Sequence, residues 1–156
     1  MEYCIIKVRR IPVCFYPVEL SRAGSGRDFS IISAHWQEFN HLLRVNKICL
    51  GAGWAKYGIT MNTGDKTLYQ CAFPSRSPIE PFEYSAIPAG DYVKIDHRGS
   101  MGRISETIDE IYRKLIPNAG IETDLGRSLV HFERYDSRFH WNRRDSLVEL
   151  YVPVLN

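Results

Sequence analysis

The spacing of apolar residues along the chain predicts two amphipathic helices. Apolar side chains at steps of four, three and four residues fall on one face of a helix. One such series is Ile32, Trp36, Phe39 and Leu43. A second series with the same steps is Ile104, Ile108, Ile111 and Leu115. We therefore predict helices over residues 30–45 and 106–116, and we expect Pro117 and Gly120 to end the second helix.

Runs rich in β-branched and aromatic residues predict strands before, between and after the helices. The runs cover residues 3–8, 13–18, 54–61, 67–73, 82–97, 128–135 and 146–154. Pro88 and Gly90 interrupt the run over 82–97. The sequence Asn62-Thr63-Gly64-Asp65 favours a hairpin turn. The remaining segments rich in turn formers, 21–28 and 74–81, are predicted loops.

The order of these elements repeats along the chain. A shift of 72 residues carries the first apolar series onto the second, and the strand that begins near Tyr57 onto the strand that begins at Leu129. We therefore infer two strand–helix–strand–strand units, about residues 1–78 and 79–156, in one domain over residues 1–156. Two units packed about a pseudo-two-fold axis form an α+β domain with a crevice where they meet. Chance similarity between two amphipathic helices is the alternative explanation.

Composition narrows the classes of function. With 20 basic and 18 acidic residues the net charge is +2, and no basic run exceeds two residues, so neither nucleic acid nor a membrane surface is an expected partner. No apolar run is long enough to cross a bilayer and no secretory signal is recognisable, so we expect a cytoplasmic protein. The four cysteines make neither a CxxC pair nor a zinc-binding spacing. We expect reduced, mostly buried thiols and no metal or other cofactor, with two disulfides as the alternative in a secreted protein.

An ordered series of motifs in the second half of the chain resembles one known family. The series is Ile87-Pro88-Ala89-Gly90-Asp91-Tyr92, His97-Arg98-Gly99, Leu115-Ile116-Pro117, Gly120-Ile121-Glu122, Phe132-Glu133-Arg134-Tyr135-Asp136, Phe139 and Val148-Glu149-Leu150-Tyr151-Val152-Pro153-Val154. It resembles the GyrI-like effector-binding family over residues 86–156, and more weakly over 28–61. That family includes the ligand-sensing domains of AraC-type and MerR-type drug-responsive regulators, stand-alone gyrase-inhibitory proteins and integron-cassette effector-binding proteins.

The resemblance implies both a fold and a function. The implied fold is two β-α-β-β units about a pseudo-two-fold axis, with an antiparallel sheet, two long helices and a central cleft. The implied function is the binding of bulky, lipophilic and cationic small molecules in that cleft. Regulators of this type also carry a DNA-binding helix-turn-helix. Because no such segment is recognisable here, we expect a stand-alone binding module, most similar to the integron-cassette type, without direct nucleic-acid contact.

Glu149 is the polar residue that the last predicted strand singles out. Val148 and Leu150 alternate with it and are expected to pack under the helices, so that Glu149 faces the opposite side or the cleft. The resemblance implies that Glu149 is the buried acid that meets cationic ligands, and a low dielectric strengthens that attraction. The alternative is that Glu149 pairs with Arg134 or another basic residue and stabilises the sheet.

Aromatic side chains are the expected walls of the cleft, because their faces attract cations. The candidates are Trp36, Trp54, Tyr57, Phe82, Tyr92, Tyr135 and Tyr151. Core packing is the alternative role of each. Tyr135 has the same strand parity as His131 and Glu133, which favours a position in the cleft. Ile108 stands where the family often has an aromatic residue, which implies a reshaped wall.

Two other functions stay open at this point. Some members of the family hydrolyse strained, cyclopropane-containing electrophiles with a Tyr/Glu pair, and Glu149 with Tyr57 or Tyr135 would supply such a pair as general base and acid. Gyrase-inhibitory members bind a protein, so a type II topoisomerase is a partner to test. No Ser-His-Asp or Cys-His arrangement is recognisable, which disfavours other hydrolytic chemistry, and we expect binding rather than catalysis.

Overall fold

A computed structural model describes residues 1–20, 29–124 and 127–155. The strands are β1 Cys4–Val8, β2 Ile11–Leu20, β3 Lys56–Thr63, β4 Lys66–Pro74, β5 Glu83–Ile87, β6 Gly90–Arg98, β7 Leu129–Tyr135 and β8 Leu147–Pro153. The helices are α1 Phe29–Val45, α2 Ile104–Glu110 and α3 Ile116–Ala119. The loop predicted over residues 21–28 lies outside the described residues. The predicted strands and the hairpin turn are confirmed, with the run over 82–97 divided into β5 and β6.

The second helical region is longer than predicted and changes its hydrogen-bond pattern. A 3-10 turn, Met101–Arg103, leads into α2, and a π-helical segment, Ile111–Leu115, joins α2 to α3. Pro117 does not end the helix, because it lies in the first turn of α3, where a backbone N–H is not required. Gly120 ends it with a left-handed φ of 67°. In the described part of the chain, no helix is both long enough and apolar enough to span a bilayer.

All eight strands form one antiparallel sheet in the order β1-β6-β8-β7-β3-β4-β2-β5. The strands β3 and β7 meet at the centre, so the elements β2-α1-β3-β4 lie on one side and β6-α2-β7-β8 on the other. The α+β fold with a repeated β-α-β-β order is therefore confirmed. The exact limits of the two repeats, near residues 78 and 79, stay a prediction.

The sheet is curled because its two ends are linked. The pair β1–β6 at one end and the pair β2–β5 at the other continue each other in one register. Val8 of β1 pairs with Gly90 of β6, and Ile11 of β2 pairs with Ile87 of β5 in the same register. Yet β1 and β5 are the two outermost strands of the sheet. The chain segments that cross between these pairs therefore hold the two ends of the sheet together, and the sheet bends into a half-barrel.

Strand alternation gives the sheet two faces with different coverings. The helix face packs against α1 through Cys14, Ile32, Phe39, Leu43, Tyr69, Cys71, Phe73 and Phe82. It packs against the second helical region through Val93, Ile95, Met101, Ile104, Ile111, Leu115, Ile116, Tyr135, Val148, Leu150, Val152 and Val154. The inner face of the curl holds Val13, Ala55, Tyr57, Ile59, Ala72, Ile87, Tyr92, Leu129, Phe132 and Tyr151. The expected packing of the apolar β8 residues under the helices is confirmed.

The four cysteines carry free thiols. Cys14 and Cys71 are buried beneath α1, whereas Cys4 and Cys49 are exposed. The expectation of reduced thiols is therefore met, but only two of the four are buried. No disulfide contributes to the stability of the described structure, so packing and hydrogen bonds carry it.

Leu150 tests the importance of the core beneath the second helical region. It is fully buried among the apolar residues of the helix face. We expect Leu150→Ala to lower the free energy of unfolding by about 2–5 kcal/mol, because it removes buried methyl groups and leaves a cavity. Urea denaturation measures this, with Ile5→Ala as control, since Ile5 is exposed. A loss below about 1 kcal/mol at Leu150 would contradict the assignment of this core.

Candidate functional site

An open cleft of about 430 Å³ lies on the helix face, beside α1 and above the junction of β3 and β7. Its lining residues are Ser33, Trp36, Gln37, Asn40, Trp54, Lys56, Met101, Tyr135, Phe139 and Trp141. These include all three tryptophans of the chain. A cleft of this size with mainly aromatic and apolar walls has the properties of a small-molecule site.

The aromatic walls hold one another by edge-to-face contacts. The ring centroids of Trp36 and Tyr135 are 5.2 Å apart, and those of Tyr135 and Phe139 are 5.0 Å apart. The planes are steeply inclined, at 69° and 86° respectively. These contacts fix the positions of the rings relative to one another.

Glu133 lies directly beneath the cleft and is fully buried. Its Oε1 accepts hydrogen bonds from the hydroxyl of Tyr69 at 2.8 Å and from the hydroxyl of Tyr135 at 2.6 Å. The Tyr69 hydroxyl in turn accepts a hydrogen bond of 2.9 Å from the indole Nε1 of Trp36. Both tyrosine hydroxyls are neutral hydrogen-bond donors to the carboxylate.

Gly58 provides the space in which this network forms. It pairs with Glu133 across the β3–β7 ladder. A Cβ at Gly58 would lie 2.7 Å from Oε1 of Glu133 and would overlap the hydroxyl of Tyr69. A side chain at this position would therefore separate the tyrosine from the carboxylate. Glycine is required here for close approach, not for an unusual backbone conformation.

The loop between β7 and β8 brings Phe139 and Trp141 to the cleft, and Asp136 organises that loop. Oδ1 of Asp136 accepts a hydrogen bond from the backbone N–H of Arg138 at 3.0 Å. The Arg138 guanidinium and its backbone N–H, together with Arg134, hold the pKa of Asp136 far below its usual range. The backbone N–H of Met101 donates to the carbonyl of Trp141 at 3.1 Å, which ties the loop to the 3-10 turn.

Lys56 supplies a positive charge at the rim of the cleft. Its Nζ donates a hydrogen bond of 2.8 Å to Oδ1 of Asn40 and lies 5.3 Å from the centre of the Trp54 ring. Burial is the main cause that lowers the pKa of Lys56. Of the described lining residues, Lys56 is the one that carries a full charge at neutral pH.

Glu149 is not brought to this cleft. It lies on the inner face of the sheet, directly opposite Arg134 of β7 and Asp96 of β6. Its carboxylate is 2.9 Å from Arg138, 3.3 Å from Lys94 and 3.6 Å from Arg134. The alternative interpretation of Glu149, as the partner of basic residues, is therefore the one that matches its position.

The electrostatic environment of Glu149 differs from that of Glu133. Burial alone would raise the pKa of Glu149. Hydrogen bonds from Arg138 and from the Tyr151 hydroxyl, together with the charges of Lys94 and Arg134, outweigh burial and lower it. The hydrogen bond between Arg138 and Glu149 also links the inner face to the loop that carries Phe139 and Trp141. Glu149 is thus placed to support the loop.

The predicted wall residues divide into two groups. Trp36, Trp54 and Tyr135 line the cleft. Tyr57, Tyr92 and Tyr151 belong to the core of the inner face, and Phe82 packs against Phe39 and Phe73 beneath α1. The pair of Glu149 with Tyr135 proposed for hydrolysis is separated by the sheet, since the two side chains lie on opposite faces. Ile108 packs against the core of the second helical region.

Four residues at or beneath the cleft were not predicted from the sequence. They are Tyr69, Glu133, Phe139 and Trp141. The spacing of Glu133 and Tyr135 indicates that both lie on the same face of β7, because residues two apart on a strand share a face. Tyr69 becomes adjacent to Glu133 only through the pairing of β4 with β3 and of β3 with β7. No local pattern in the sequence reports such a contact.

Comparison with known proteins finds a sequence family that matches most of the chain. The sequence model of the family described as integron-associated effector binding protein (Cass2) matches residues 6–154. The transcriptional regulator BrlR of Pseudomonas aeruginosa is 36% identical over 69 residues, which are 44% of this chain and 24% of the regulator. The chain therefore spans about a quarter of the length of this curated relative.

Solved structures share the fold at low sequence identity. The structure of SAV2435 bound to tetraphenylphosphonium matches with a TM-score of 0.79 and 16% identity, over 100% of this chain and 95% of that one. An integron cassette protein from Vibrio cholerae matches with a TM-score of 0.60 and 15% identity, over 98% of this chain and 95% of that one.

Replacement of Gly58 tests the buried network. We expect Gly58→Ala to destabilise the protein by about 1–3 kcal/mol, because the new methyl group displaces the Tyr69 hydroxyl from Glu133. Thermal unfolding and the near-ultraviolet signal of the cleft aromatics measure the effect. Gly102→Ala is the control, since a Cβ there meets nothing closer than 3.9 Å. Equal stability of the two variants would argue against the close approach at Gly58.

The acid dependence of stability tests the position of Glu149. Folding lowers the pKa of Glu149. The carboxylate therefore contributes to the free energy of unfolding at pH values above its ordinary pKa of about 4.5, and this contribution is lost as the pH falls. We expect Glu149→Gln to lower the free energy of unfolding by about 1–3 kcal/mol at pH 7, and the difference from the wild type to shrink in acid. Urea titrations between pH 7 and 3.5 measure this.

Glu106→Gln serves as the control for the acid series. Glu106 is exposed and forms an ion pair with the equally exposed Arg103. Its replacement is expected to change stability by less than about 0.5 kcal/mol at any pH. A pH-independent difference for Glu149→Gln would show that its ion pairs do not stabilise the fold.

Proposed function

The chain belongs to the family of integron-associated effector binding proteins, and from this premise we propose that its cleft binds bulky, lipophilic cations. A small-molecule binding module follows from the family itself. The preference for a lipophilic cation is our inference, and the buried carboxylate of Glu133 is the observation that carries it. Glu133 replaces Glu149 in the role of the acid that attracts the ligand.

The charge of Glu133 acts on the cleft through Tyr135. The hydroxyl of Tyr135 donates to Glu133, while its ring lines the cleft. A cation against that ring lies about 6 Å from the carboxylate, where two unit charges at an effective dielectric of about 20 attract by about 3 kcal/mol. The hydrogen bond also increases the electron density of the ring. Both effects favour a positive guest and disfavour a negative one.

The walls suit a large aromatic guest. Trp36, Trp54 and Trp141 surround the cleft, and an aromatic face adds about 0.5–2 kcal/mol of attraction to a cation. The half-exposed position of Trp141 on the loop leaves the cleft open at one side. Such a site accepts guests that differ in shape but share charge and apolar surface.

The fold neighbour SAV2435 supports the choice of probe. That protein has been solved with tetraphenylphosphonium bound, and it covers 100% of the present chain at 16% identity. Its identity is too low to transfer contacts residue by residue. It does support the use of a tetraphenyl cation as a first ligand for this chain.

A pair of isosteric ions of opposite charge provides the direct test. Tetraphenylphosphonium and tetraphenylborate share size and apolar surface, so a difference in affinity reports the charge of the site. We expect the wild type to bind the phosphonium at least about tenfold more tightly than the borate, which corresponds to about 1.4 kcal/mol. Titration followed by tryptophan fluorescence measures both constants, since every tryptophan lines the cleft.

Two glutamate variants distinguish the two faces of the sheet. Glu133→Gln keeps an acceptor for the tyrosine hydroxyls but removes the charge, so we expect it to lose the discrimination between the two ions. Glu149→Gln is expected to keep that discrimination, even if the loop that it supports becomes less ordered. Retention of discrimination in Glu133→Gln, together with its loss in Glu149→Gln, would overturn the proposed role of Glu133.

A further inference from the structure

The cleft contains a second charged group whose role differs from that of Glu133. Lys56 pairs with Tyr135, and Gly58 pairs with Glu133, in the same ladder between β3 and β7. Gly58 is the residue opposite Glu133, and Lys56 lies two residues from it along β3. Two residues of an extended strand span about 7 Å. A negative charge at the base and a positive charge at the rim thus share one cleft.

The ammonium group of Lys56 has no carboxylate partner within 4 Å among the described residues. It contacts the amide oxygen of Asn40 and the ring of Trp54 instead. Both are weaker counterparts for an ammonium group than a carboxylate. Burial disfavours the charged form and lowers the pKa of Lys56. An anionic group delivered by a guest would supply the counterion that the protein does not provide.

Neutral polar side chains continue the rim along one side of α1. Ser33, Gln37 and Asn40 recur at steps of four and three residues and line the same cleft. The opposite walls are apolar and aromatic. The cleft therefore changes along its length from an acidic base, through aromatic walls, to a rim that offers hydrogen bonds and one positive charge.

We propose that Lys56 makes this cleft selective for amphipathic zwitterions, in which an aromatic cation carries a carboxylate or a similar anionic group, over cations that lack such an anionic group. This inference rests on the proposed binding of cations above Glu133. The cationic part of the guest lies against Tyr135 and the tryptophans, and its anionic part lies against Lys56 and Asn40. A second cation at the rim meets repulsion from Lys56 in a partly desolvated site.

A pair of dyes that differ only at one carboxyl group tests this selectivity. Rhodamine B carries a cationic xanthylium system and a free carboxylate at neutral pH, whereas its ethyl ester retains only the positive charge. We expect the wild type to bind the free acid at least about threefold more tightly than the ester. Fluorescence polarisation at constant ionic strength measures both dissociation constants.

Variants of Lys56 then assign the effect. We expect Lys56→Met to weaken the binding of the free acid about tenfold and to change the binding of the ester by less than about threefold, so that the preference for the free acid falls by at least about threefold. Lys56→Arg retains a positive charge and is expected to restore the preference for the free acid. An unchanged ratio of the two affinities in Lys56→Met would overturn the proposal.

The same assay separates this proposal from the one on which it rests. If Glu133→Gln weakens both dyes while Lys56→Met leaves their ratio unchanged, cation binding stands and the role of Lys56 is refuted. If neither dye binds the wild type, both proposals fail. Raising the ionic strength is expected to weaken the free acid's preference in the wild type but not in Lys56→Met, because salt screens the contact at the rim.

Discussion

A fully buried carboxylate must be hydrogen-bonded, and the way in which Glu133 meets this requirement organises the centre of the molecule. Its two tyrosine donors come from β4 and β7, so the pairing of three neighbouring strands has to be correct before the network can form. The absence of a side chain at Gly58 leaves room for it. One of the two donors, Tyr135, also lines the cleft, so the hydrogen bonds that satisfy the buried carboxylate also connect it to the cleft wall.

Side chains alternate between the two faces of the sheet along β7 and β8, so two neighbouring glutamates have different surroundings. Glu133 faces the helices and is held by neutral hydroxyls, whereas Glu149 faces the inner side and is surrounded by Lys94, Arg134 and Arg138. Basic side chains therefore neutralise the second carboxylate. Through Arg138 and Asp136, the second still supports the loop that carries two cleft aromatics. The cleft and the ion pairs of Glu149 thus lie on opposite faces of one sheet.

Local patterns predicted the parts of this structure that depend on local geometry. The apolar steps gave both helices, and the alternation around Glu149 correctly separated it from Val148 and Leu150. Whether Glu149 or Glu133 lies at the cleft depends on contacts between residues distant in sequence. The cations around Glu149 come from β6, β7 and a loop. Tyr69 reaches Glu133 across two strand pairs. Tyr57, Tyr92 and Tyr151 were selected as aromatic residues, but the curl of the sheet, which closes the inner face, has no signature in composition or spacing.

We propose that a cation occupies the helix-face cleft above Glu133 and not the inner face beside Glu149. Two-dimensional nitrogen–proton spectra recorded during titration with tetraphenylphosphonium distinguish the two faces, because the indole N–H signals of the three tryptophans all report on the cleft. We expect saturable shifts of the Trp36, Trp54 and Trp141 indole signals and of the Tyr135 amide. Shifts confined to the amides of Tyr57, Glu149 and Tyr151, with unchanged indole signals, would contradict it.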